Sequence, residues 1–339
     1  MAFFRKTGII GLELDTGEAR AVELRGSTRA PVLAACGSIS LSDDAVVDGM
    51  VVQPDAVAAA LEELWDSAGI AGREVILGVA NQGVMVRLAT FPKVPENKID
   101  QMIRYQAQDY LPIPLDTVVL DYMVIGETAD ERGQFLEVLL VAARRDMLEN
   151  YLAALSMAAL KPRDINISSL ALLQVLPEAG RSGTAAIVDV SNGMSNILVV
   201  ADGVPRMARL LPIGLKDAAK QLGCALDEVV PPPGTEEQRD WSREALQVWI
   251  ERLAAEIRSS ISYYYEQPGS TNVGGIVLSG RGARIGRLSD LMQESLGIPA
   301  TTLQPLQGTN WSTRKGTDIV RQVPDYAVCL GLMRCELGW

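Results

Sequence analysis

Alternating hydrophobic and polar positions predict β-strands at the start of the chain, and helical spacing of apolar residues follows them. The runs Gly8–Leu14 and Ala19–Arg25 flank a short polar turn and therefore predict a hairpin, and Val32–Leu41 predicts a third strand. Over residues 55–68 apolar side chains recur on one face, which predicts an amphipathic helix. Two further strands are predicted over Glu74–Ala80 and Val84–Phe91.

The stretch from about residue 88 to residue 165 has the pattern of a separate α+β unit. Its first helix is bounded by Pro112 and Pro114, because proline cannot continue a helix interior. Asp146 and Glu149 have the spacing of a capping box at the start of its second helix. In order, the pattern predicts a helix over Glu96–Leu111, a strand pair over Val118–Gly126 and Gln134–Ala143, a helix from Asp146 to about Leu160, and a last strand over Lys161–Ile167.

From residue 184 the order of strands followed by helices begins again. Thr184–Val190 and Ile197–Ala201 flank Asn192-Gly193, which favours a tight hairpin. Further on, the pattern predicts a long helix over Trp241–Tyr265, a strand over Val273–Leu278, a glycine-rich turn over Ser279–Arg284, and helices over Gly286–Leu296 and around Tyr326–Arg334. Because both halves open with strands, we predict two related α/β halves rather than a barrel.

Composition excludes several classes of function. The 339 residues include no histidine, which excludes Ser-His-Asp and Cys-His catalysis, histidine-bound zinc and imidazole acid–base chemistry. The 42 acidic and 31 basic residues give a net charge of −11, so we expect no nucleic-acid partner. The four cysteines form no CxxC pair, which is typical of reduced thiols in a cytosol-like compartment. We also expect no signal peptide and no transmembrane segment, because no long apolar run occurs.

Three polar turns have the composition of anion-binding loops: residues 13–17, 189–195 and 279–283. Glycine and hydroxyl residues in such turns direct backbone N–H groups one way, which suits a phosphate, and the carboxylate of Glu13 or Asp189 is suited to Mg²⁺ and its water. Ordinary hairpin turns have the same composition, so each turn alone is weak support. The third turn misses GxGxxG by one residue and no GxxxxGK[ST] occurs, which disfavours a Rossmann or P-loop enzyme.

A longer segment is more distinctive than any of these turns. Residues 101–116, QMIRYQAQDYLPIPLD, followed by residues 120–126, LDYMVIG, resemble the segment QIRxEAxxYIPxPLxE…xDFxVLG of the PilM proteins of type IV pilus assembly. Residues 186–189, 275–280 and 326–332 match that family in the same order. The resemblance runs from about residue 7 to residue 334, which is nearly the whole chain.

This resemblance implies an α/β protein with the actin-like (ribonuclease H-like) two-lobed fold, carrying an inserted α+β subdomain. The resemblance implies three units in this chain. The first lobe covers residues 1–87, together with residues 166–183 and a C-terminal helix over 325–339. The inserted subdomain covers residues 88–165, and the second lobe covers residues 184–324 and includes a helical subdomain at about 215–271.

The same resemblance implies a cytoplasmic scaffold, recruited to the cytoplasmic face of the inner membrane through its partner. PilM-like proteins capture the N-terminal cytoplasmic peptide of the membrane protein PilN in a groove between the inserted subdomain and the first lobe, and contacts with pilus motor or platform proteins are also implied. The residues predicted to line this groove are Arg104, Gln108, Tyr110 and Tyr122. Core packing also explains the apolar stripe that contains Tyr110. The sequence leaves open whether the machine is a pilus, a related type II secretion-like pseudopilus or a DNA-uptake system.

ATP and Mg²⁺ between the lobes are a further implication of the resemblance, with no catalytic residue carried over. The residues that correspond to the nucleotide loops are Asp15, Thr16, Gly17, Asp189, Ser191, Asn192, Gly193, Gly214, Ser279, Gly280, Arg281 and Gly282, with Glu13 and Asp189 near the metal. Glu13 replaces the family's aspartate, whereas Ser191 and Arg281 replace glycines. Because Cβ atoms occupy space that a nucleotide needs, these changes favour weak or lost turnover. They leave binding open, since Arg281 is also able to pair with phosphate.

Two alternatives belong to other classes. One is an ATP-hydrolysing or kinase enzyme of the actin and sugar-kinase superfamily, with Asp15 or Asp189 as its base. The chain lacks a loop that resembles a sugar-binding segment, which ranks this alternative second. The other is an FtsA-like filament-forming protein. FtsA-type proteins end in an amphipathic membrane-binding helix, for which the last residues, 335–339, leave no room.

Overall fold

The computed structural model describes residues 8–27, 30–131, 133–232, 241–306, 311–313 and 324–336. Residues 1–7 of the predicted first lobe and residues 337–339 of its predicted C-terminal helix lie outside the described residues, as do residues 132, 233–240, 307–310 and 314–323 of the other two predicted units.

The first part of the chain forms the predicted hairpin and helix. Its elements are β1 (Ile9–Asp15), β2 (Glu18–Ser27), β3 (Ala30–Ser40), β4 (Val46–Val47), β5 (Met50–Val51), α1 (Pro54–Ala68) and β6 (Glu74–Val79). Pro54 stands in the first turn of α1, where its missing N–H is tolerated, and Gly69 ends the helix in the left-handed conformation with φ 64°. The apolar face of α1 is buried against the first sheet, as its sequence pattern predicts.

The next part forms a small sheet of its own and then returns to the first one. Its elements are β7 (Val84–Pro92), α2 (Glu96–Gln106), β8 (Val118–Asp130), β9 (Gly133–Arg144), α3 (Arg145–Met157), β10 (Lys161–Ile167) and α4 (Ser168–Val175). The order in the small sheet is β7-β9-β8 and all of its pairs are antiparallel. Helix α2 and the turn after it cover one face of this sheet through Ile103 and Ala107, which gives the unit its own core.

Two details of this region differ from the sequence prediction. Strand β10 is not the last strand of the inserted unit, because it pairs in parallel with β6 in the first sheet. A linear pattern does not show this, since parallel partners are joined by a crossover, here through a whole subdomain and α3. The predicted capping box is also wrong: the Asp146 carboxylate binds Arg144 and the Met147 N–H, and no side chain caps α3.

The last part of the chain builds the second sheet and its helices. Its elements are β11 (Thr184–Asp189), β12 (Ser195–Ala201), β13 (Val204–Leu211), α5 (Leu215–Leu222), α6 (Leu226–Val229), α7 (Arg243–Tyr265), β14 (Gly275–Ser279), α8 (Leu288–Leu296), β15 (Ala300–Thr302), β16 (Ser312–Thr313) and α9 (Ala327–Glu336). Instead of a tight turn at Asn192-Gly193, residues 190–194 form a longer loop between β11 and β12.

The two large sheets share one topology. The first has the order β10-β6-β1-β2-β3-β16 and the second has the order β13-β12-β11-β14-β15. In each, three consecutive strands pair antiparallel, and parallel strands extend the sheet from the first of them. Helices α4 and α9 pack together between the sheets, and their apolar residues form one core with residues of both sheets. The prediction of two related α/β halves is therefore confirmed.

Candidate functional site

The turn after β1 and the loop after β11 meet between the two sheets. One oxygen of Asp15 accepts a hydrogen bond from the backbone N–H of Asn192 at 2.9 Å, and the other accepts from the N–H of Thr16 at 2.7 Å. A Cβ atom on Gly193 would lie 2.2 Å from the Thr16 hydroxyl, so only glycine permits this contact. Two of the three predicted anion-binding turns are therefore in direct contact with each other.

The third turn and the start of α5 complete the same junction. The N–H of Gly282 donates to the carbonyl of Val190 at 2.9 Å, and Gly280 adopts φ 76°, where a Cβ would lie 2.8 Å from Asp189. Gly214 precedes α5, and a Cβ there would lie 2.4 Å from the Gly193 carbonyl. The Ser191 hydroxyl donates to Asp189 at 2.7 Å. The structure therefore brings the residues predicted for a nucleotide site together at one junction.

Arg20 lies at the centre of this junction and is surrounded by carboxylates. Its guanidinium lies 3.2 Å from Glu13, 3.2 Å from Asp15 and 2.8 Å from Glu18. Arg20 is directly opposite Glu13 in the β1–β2 pair, and Asp15 is opposite Glu18, so the strand register alone places the four charges on one face. Glu18 is absent from the sequence-predicted site. The sequence does contain a signal for Glu18: charged residues alternate with apolar ones on both sides of a short turn, so the charges fall on one face of the hairpin.

Arg281 connects this hairpin to the second lobe. Its side chain is only 3% exposed, and it donates to the Val230 carbonyl at 3.0 Å and to Asp227 at 2.5 Å. The same guanidinium lies 3.6 Å from Glu18 on β2. Asn192 also donates to Glu18, at 3.4 Å. Glu18 is therefore a contact point between the first sheet and two loops of the second lobe.

Burial changes the proton affinity of several of these groups. It raises the pKa of Glu13 to about 8 although Arg20 acts in the opposite direction, and it also raises the pKa of Asp189. Burial alone would lower the pKa of Arg20, but Glu13, Glu18 and Asp15 together hold it well above its ordinary value. One guanidinium faces three carboxylates here, and burial favours the protonated form of Glu13 more than water does.

The predicted metal ligands have protein partners. Glu13 contacts Arg20, and Asp189 accepts from Ser191. Within the described ranges, no group of three or more cysteine, aspartate or glutamate side chains is arranged to hold a metal ion. The Mg²⁺ site at Glu13 and Asp189 thus stays a prediction.

A groove runs between the small sheet and the second lobe. Strands β7 and β13 are edge strands of their sheets and pack against each other. Along this contact lie two cavities, of about 390 and 210 Å³. The larger is lined by apolar side chains that include Val84, Met85, Ile167, Met194 and Leu210, and by polar ones that include Asn81, Asn196, Arg87 and Arg209. The Arg206 side chain pairs with Glu137 at 2.9 Å and joins the two walls.

One of the four residues predicted for a peptide groove lies in these cavities. Tyr110 lines the smaller one, stacks on Phe91 with 5.1 Å between ring centroids, and donates to the Thr90 carbonyl of β7 at 2.7 Å. Arg104, Gln108 and Tyr122 line neither cavity. Arg104 pairs with Asp100 at 3.0 Å, and Tyr122 packs beside the core under α2.

Gln108 makes its hydrogen bonds within the inserted unit, and its role in a peptide groove stays a prediction. Its amide donates to the carbonyls of Leu111 and Ile113, and its oxygen accepts from the N–H of Leu115. These three bonds hold the proline-containing segment that follows α2. The structure thus gives Gln108 a structural contact within the inserted unit.

Three comparisons with known proteins agree with this architecture. A chain from the PilM-PilN type IV pilus biogenesis complex is 24% identical, covers 98% of this chain and 99% of its own length, and has a TM-score of 0.82. MreB5 of Spiroplasma citri bound to ADP is 11% identical, with coverage of 96% and 94% and a TM-score of 0.52. The cell division protein FtsA of Streptococcus pneumoniae is 23% identical over 343 residues, 87% of this chain and 75% of that protein.

These likenesses confirm the predicted actin-like fold. In the part of the chain that the structure describes, no helix is long and apolar enough to cross a membrane. The sequence model of the family described as Type IV pilus assembly protein PilM matches residues 11–335. Because that match covers nearly the whole sequence, the chain belongs to the PilM family of type IV pilus assembly proteins.

Proposed function

We propose that this protein is an adaptor of a type IV pilus, or of a related type II secretion-like machine, and that it captures the N-terminal cytoplasmic peptide of a PilN-like membrane protein. Family membership supports the role in assembly. A chain of the same fold comes from a structure described as a complex of PilM with PilN, which supports the choice of partner. The protein would then reach the cytoplasmic face of the inner membrane through that partner.

The observation that carries this proposal is the groove between β7 and β13. A cavity of about 390 Å³ has the size of a ligand site, and its lining combines apolar side chains with polar ones that include Arg87 and Arg209. Both walls are edge strands, which offer backbone N–H and C=O groups to an extended peptide. Tyr110 already binds the Thr90 carbonyl on this edge, so a peptide would lie beside its ring.

Capture of a peptide needs no catalytic residue, so the proposed function does not use ATP turnover. The groove is formed mainly by β7, β13 and the segment that ends β6, and of the nucleotide-like loops at the ends of β1, β11 and β14 only Met194 reaches it. Binding at the groove is therefore testable with the protein alone.

A matched pair of leucine substitutions tests the proposal. Leu210 is half-buried in the groove, and Leu152 is 39% exposed on α3, away from both cavities. We expect Leu210→Glu to weaken binding of a synthetic N-terminal peptide of the PilN-like protein by about 10-fold or more, because a buried leucine contributes about 1.5–3 kcal/mol. Leu152→Glu should bind as the unmodified protein does, as measured by calorimetry.

Two results would contradict this function. One is the absence of saturable peptide binding by the unmodified protein. The other is equal affinity of Leu210→Glu and Leu152→Glu, which would place the peptide elsewhere. Circular dichroism of both variants establishes that they are folded.

A further inference from the structure

The cleft between the two lobes is closed by contacts within the chain itself. The backbone N–H groups of Thr16 and Asn192 donate to the two oxygens of the Asp15 carboxylate. The N–H of Val190 donates to the Ser279 carbonyl, and that of Gly282 donates to the Val190 carbonyl. A phosphate at these turns would need such N–H groups as donors. In this chain the Asp15 carboxylate takes the place of an anion.

The side chain of Arg281 fills the space beside the third turn. It stands where the family pattern has a glycine, and its guanidinium reaches the Val230 carbonyl, Asp227 and Glu18. Its Nε and one terminal nitrogen are bound to Val230 and Asp227, and the other terminal nitrogen faces the Glu18 carboxylate at 3.6 Å, so the 3% exposed side chain is directed at groups of the chain itself. Of the two alternatives that the sequence leaves open for Arg281, the structure supports occlusion.

The charges of the junction also oppose an anionic ligand. Five buried carboxyl groups share two buried guanidinium groups and a partly buried third one here: Glu13, Asp15, Glu18, Asp189 and Asp325 with Arg20, Arg281 and Arg284. A triphosphate would add negative charge to a site that already has an excess of acids, and like charges in a buried site repel strongly.

The mouth of the cleft is also lined by carboxylates and by cations that pair with them. A cavity of about 360 Å³ is lined there by Glu18, Asp43 and Asp227 together with Lys216 and Arg281. Lys216 pairs with Asp43 at 3.0 Å across the cleft, from the second lobe to the first. Both cations of this cavity therefore already have carboxylate partners.

We propose that this cleft does not take ATP with Mg²⁺ and that the two lobes are instead held together by the chain's own ion pairs, centred on Arg20, Glu18 and Arg281. The closed arrangement of the lobes is then a permanent property of the protein rather than a response to a nucleotide. The groove shares only Met194 with these loops, so peptide binding at the groove tests a separate claim.

Titration of the unmodified protein with ATP and Mg²⁺ tests whether the cleft excludes the nucleotide. We expect no saturable signal in calorimetry and a Tm that stays unchanged at about 1 mM ATP, whereas a ligand at about 100 times its Kd would raise the Tm by several degrees. Saturable binding, or such a rise in Tm, would overturn the proposal.

Hydrogen exchange of two variants tests whether the ion pairs hold the two lobes together. Glu18→Gln removes a charge that connects the first sheet to both loops, and Arg281→Ala removes the side chain that fills the cleft. We expect amides of residues 13–20 and 189–194 to exchange at least about tenfold faster in both variants without any nucleotide. Arg243→Ala is the control, because Arg243 is an exposed residue of the second lobe that pairs with Glu294.

Unchanged exchange in Glu18→Gln and Arg281→Ala would show that the ion pairs do not hold the lobes. Glu18→Gln keeps the size of the side chain and its hydrogen-bonding capacity, so it provides the answer even where Arg281→Ala does not fold.

Discussion

Arg20 and its three carboxylate partners determine the balance of buried charge at the junction between the lobes. Three carboxylates contact one guanidinium, and all four side chains are buried. Buried charges are tolerated when they are paired and hydrogen-bonded, but here the acids outnumber the partner. Burial raises the pKa of Glu13 to about 8, with a further contribution from Asp189 and Asp15 and against the opposing effect of Arg20.

We predict that Glu13 makes stability depend on pH. Its pKa is higher in the folded protein than the ordinary value of 4.5, so its contribution is present at pH values below about 4.5 and is lost as the pH rises to about 8. The side chain of Glu13→Gln cannot titrate. Between pH 4.5 and about 8 the free energy of unfolding of this variant should therefore fall by at least about 1 kcal/mol less than that of the unmodified protein. Urea unfolding at a series of pH values measures it.

Arg20, Asp15, Asp189 and Cys329 act on the same group, so the comparison needs a reference. Glu62→Gln removes an exposed carboxylate of α1 and should keep the pH dependence of the unmodified protein. If the free energy of unfolding depends on pH in the same way in Glu13→Gln and Glu62→Gln, Glu13 is ionised in the folded protein. The assignment of the pH dependence to Glu13 is then wrong.

The contact between Thr16 and Gly193 gives a second prediction at this scale. Gly193→Ala places a Cβ 2.2 Å from the Thr16 hydroxyl, so the two turns must separate. We expect a loss of about 1–3 kcal/mol in the free energy of unfolding, as overpacking typically costs. The double variant with Thr16→Gly should recover part of this loss, because it removes the atoms that clash; no recovery would locate the strain elsewhere.

Sequence reasoning identified the turns of this junction but not the state of their side chains. Glycine and hydroxyl residues in turns are visible along a chain, and the family resemblance places them at one site. That Asp15 accepts from Asn192, and that Arg281 reaches Val230 and Glu18, depends on how two distant loops meet. No local pattern contains that information.

Among the elements, α2 and the segment after it show how a regular pattern is ended. The apolar stripe predicts a helix to Leu111, but α2 ends at Gln106 and one turn of 3₁₀ helix follows over Ala107–Asp109. Pro112 and Pro114 prevent the helix from continuing, and a tighter last turn satisfies some of the free carbonyls. The Gln108 amide binds two others.

We therefore predict that Gln108→Ala loosens this segment. It removes three hydrogen bonds to Leu111, Ile113 and Leu115, two of them on the exposed side of the segment. The expected loss is about 0.5–1.5 kcal/mol in the free energy of unfolding, with faster hydrogen exchange at residues 111–117. Gln247→Ala, which removes only an exposed contact to Glu251, should change neither quantity; equal effects would mean that the three bonds do not hold the segment.

Strand β10 marks the limit of prediction at the scale of elements. Its existence and bounds follow from the pattern, but its sheet does not, because the whole inserted unit separates β6 from β10 along the chain. The division of the chain into residues 1–87, 88–165 and 184–324 stays a prediction. The small sheet itself begins at Val84.

On the scale of the whole molecule, helices α4 and α9 connect the two sheets. Gly331 on α9 lies so close to α4 that a Cβ would be 2.2 Å from the Ala171 carbonyl. The resemblance to a family predicts this two-lobed arrangement, whereas periodicity alone predicts only that the halves are similar. The buried helices between them carry no amphipathic signal, because both of their faces are covered.

We predict that Gly331→Ala destabilises both lobes together. The two helices must move apart, and their core is shared by both sheets, so the free energy of unfolding should fall by about 1–3 kcal/mol in a single transition. Gly274→Ala is the matched control, since its Cβ would have only one neighbour, the Thr184 carbonyl at 3.7 Å. Two separate thermal transitions in Gly331→Ala would show that the lobes unfold independently.

The pairing of Arg206 with Glu137 across the groove has a mechanical consequence. A membrane-anchored partner held between β7 and β13 would transmit tension along the direction of these strands. Load in that direction strains all of the backbone hydrogen bonds of an added strand at once rather than one after another. Because Arg206 and Glu137 tie the two walls together, pulling on the tether would not readily spread them, and the grip would tolerate force that a surface contact of the same area would not.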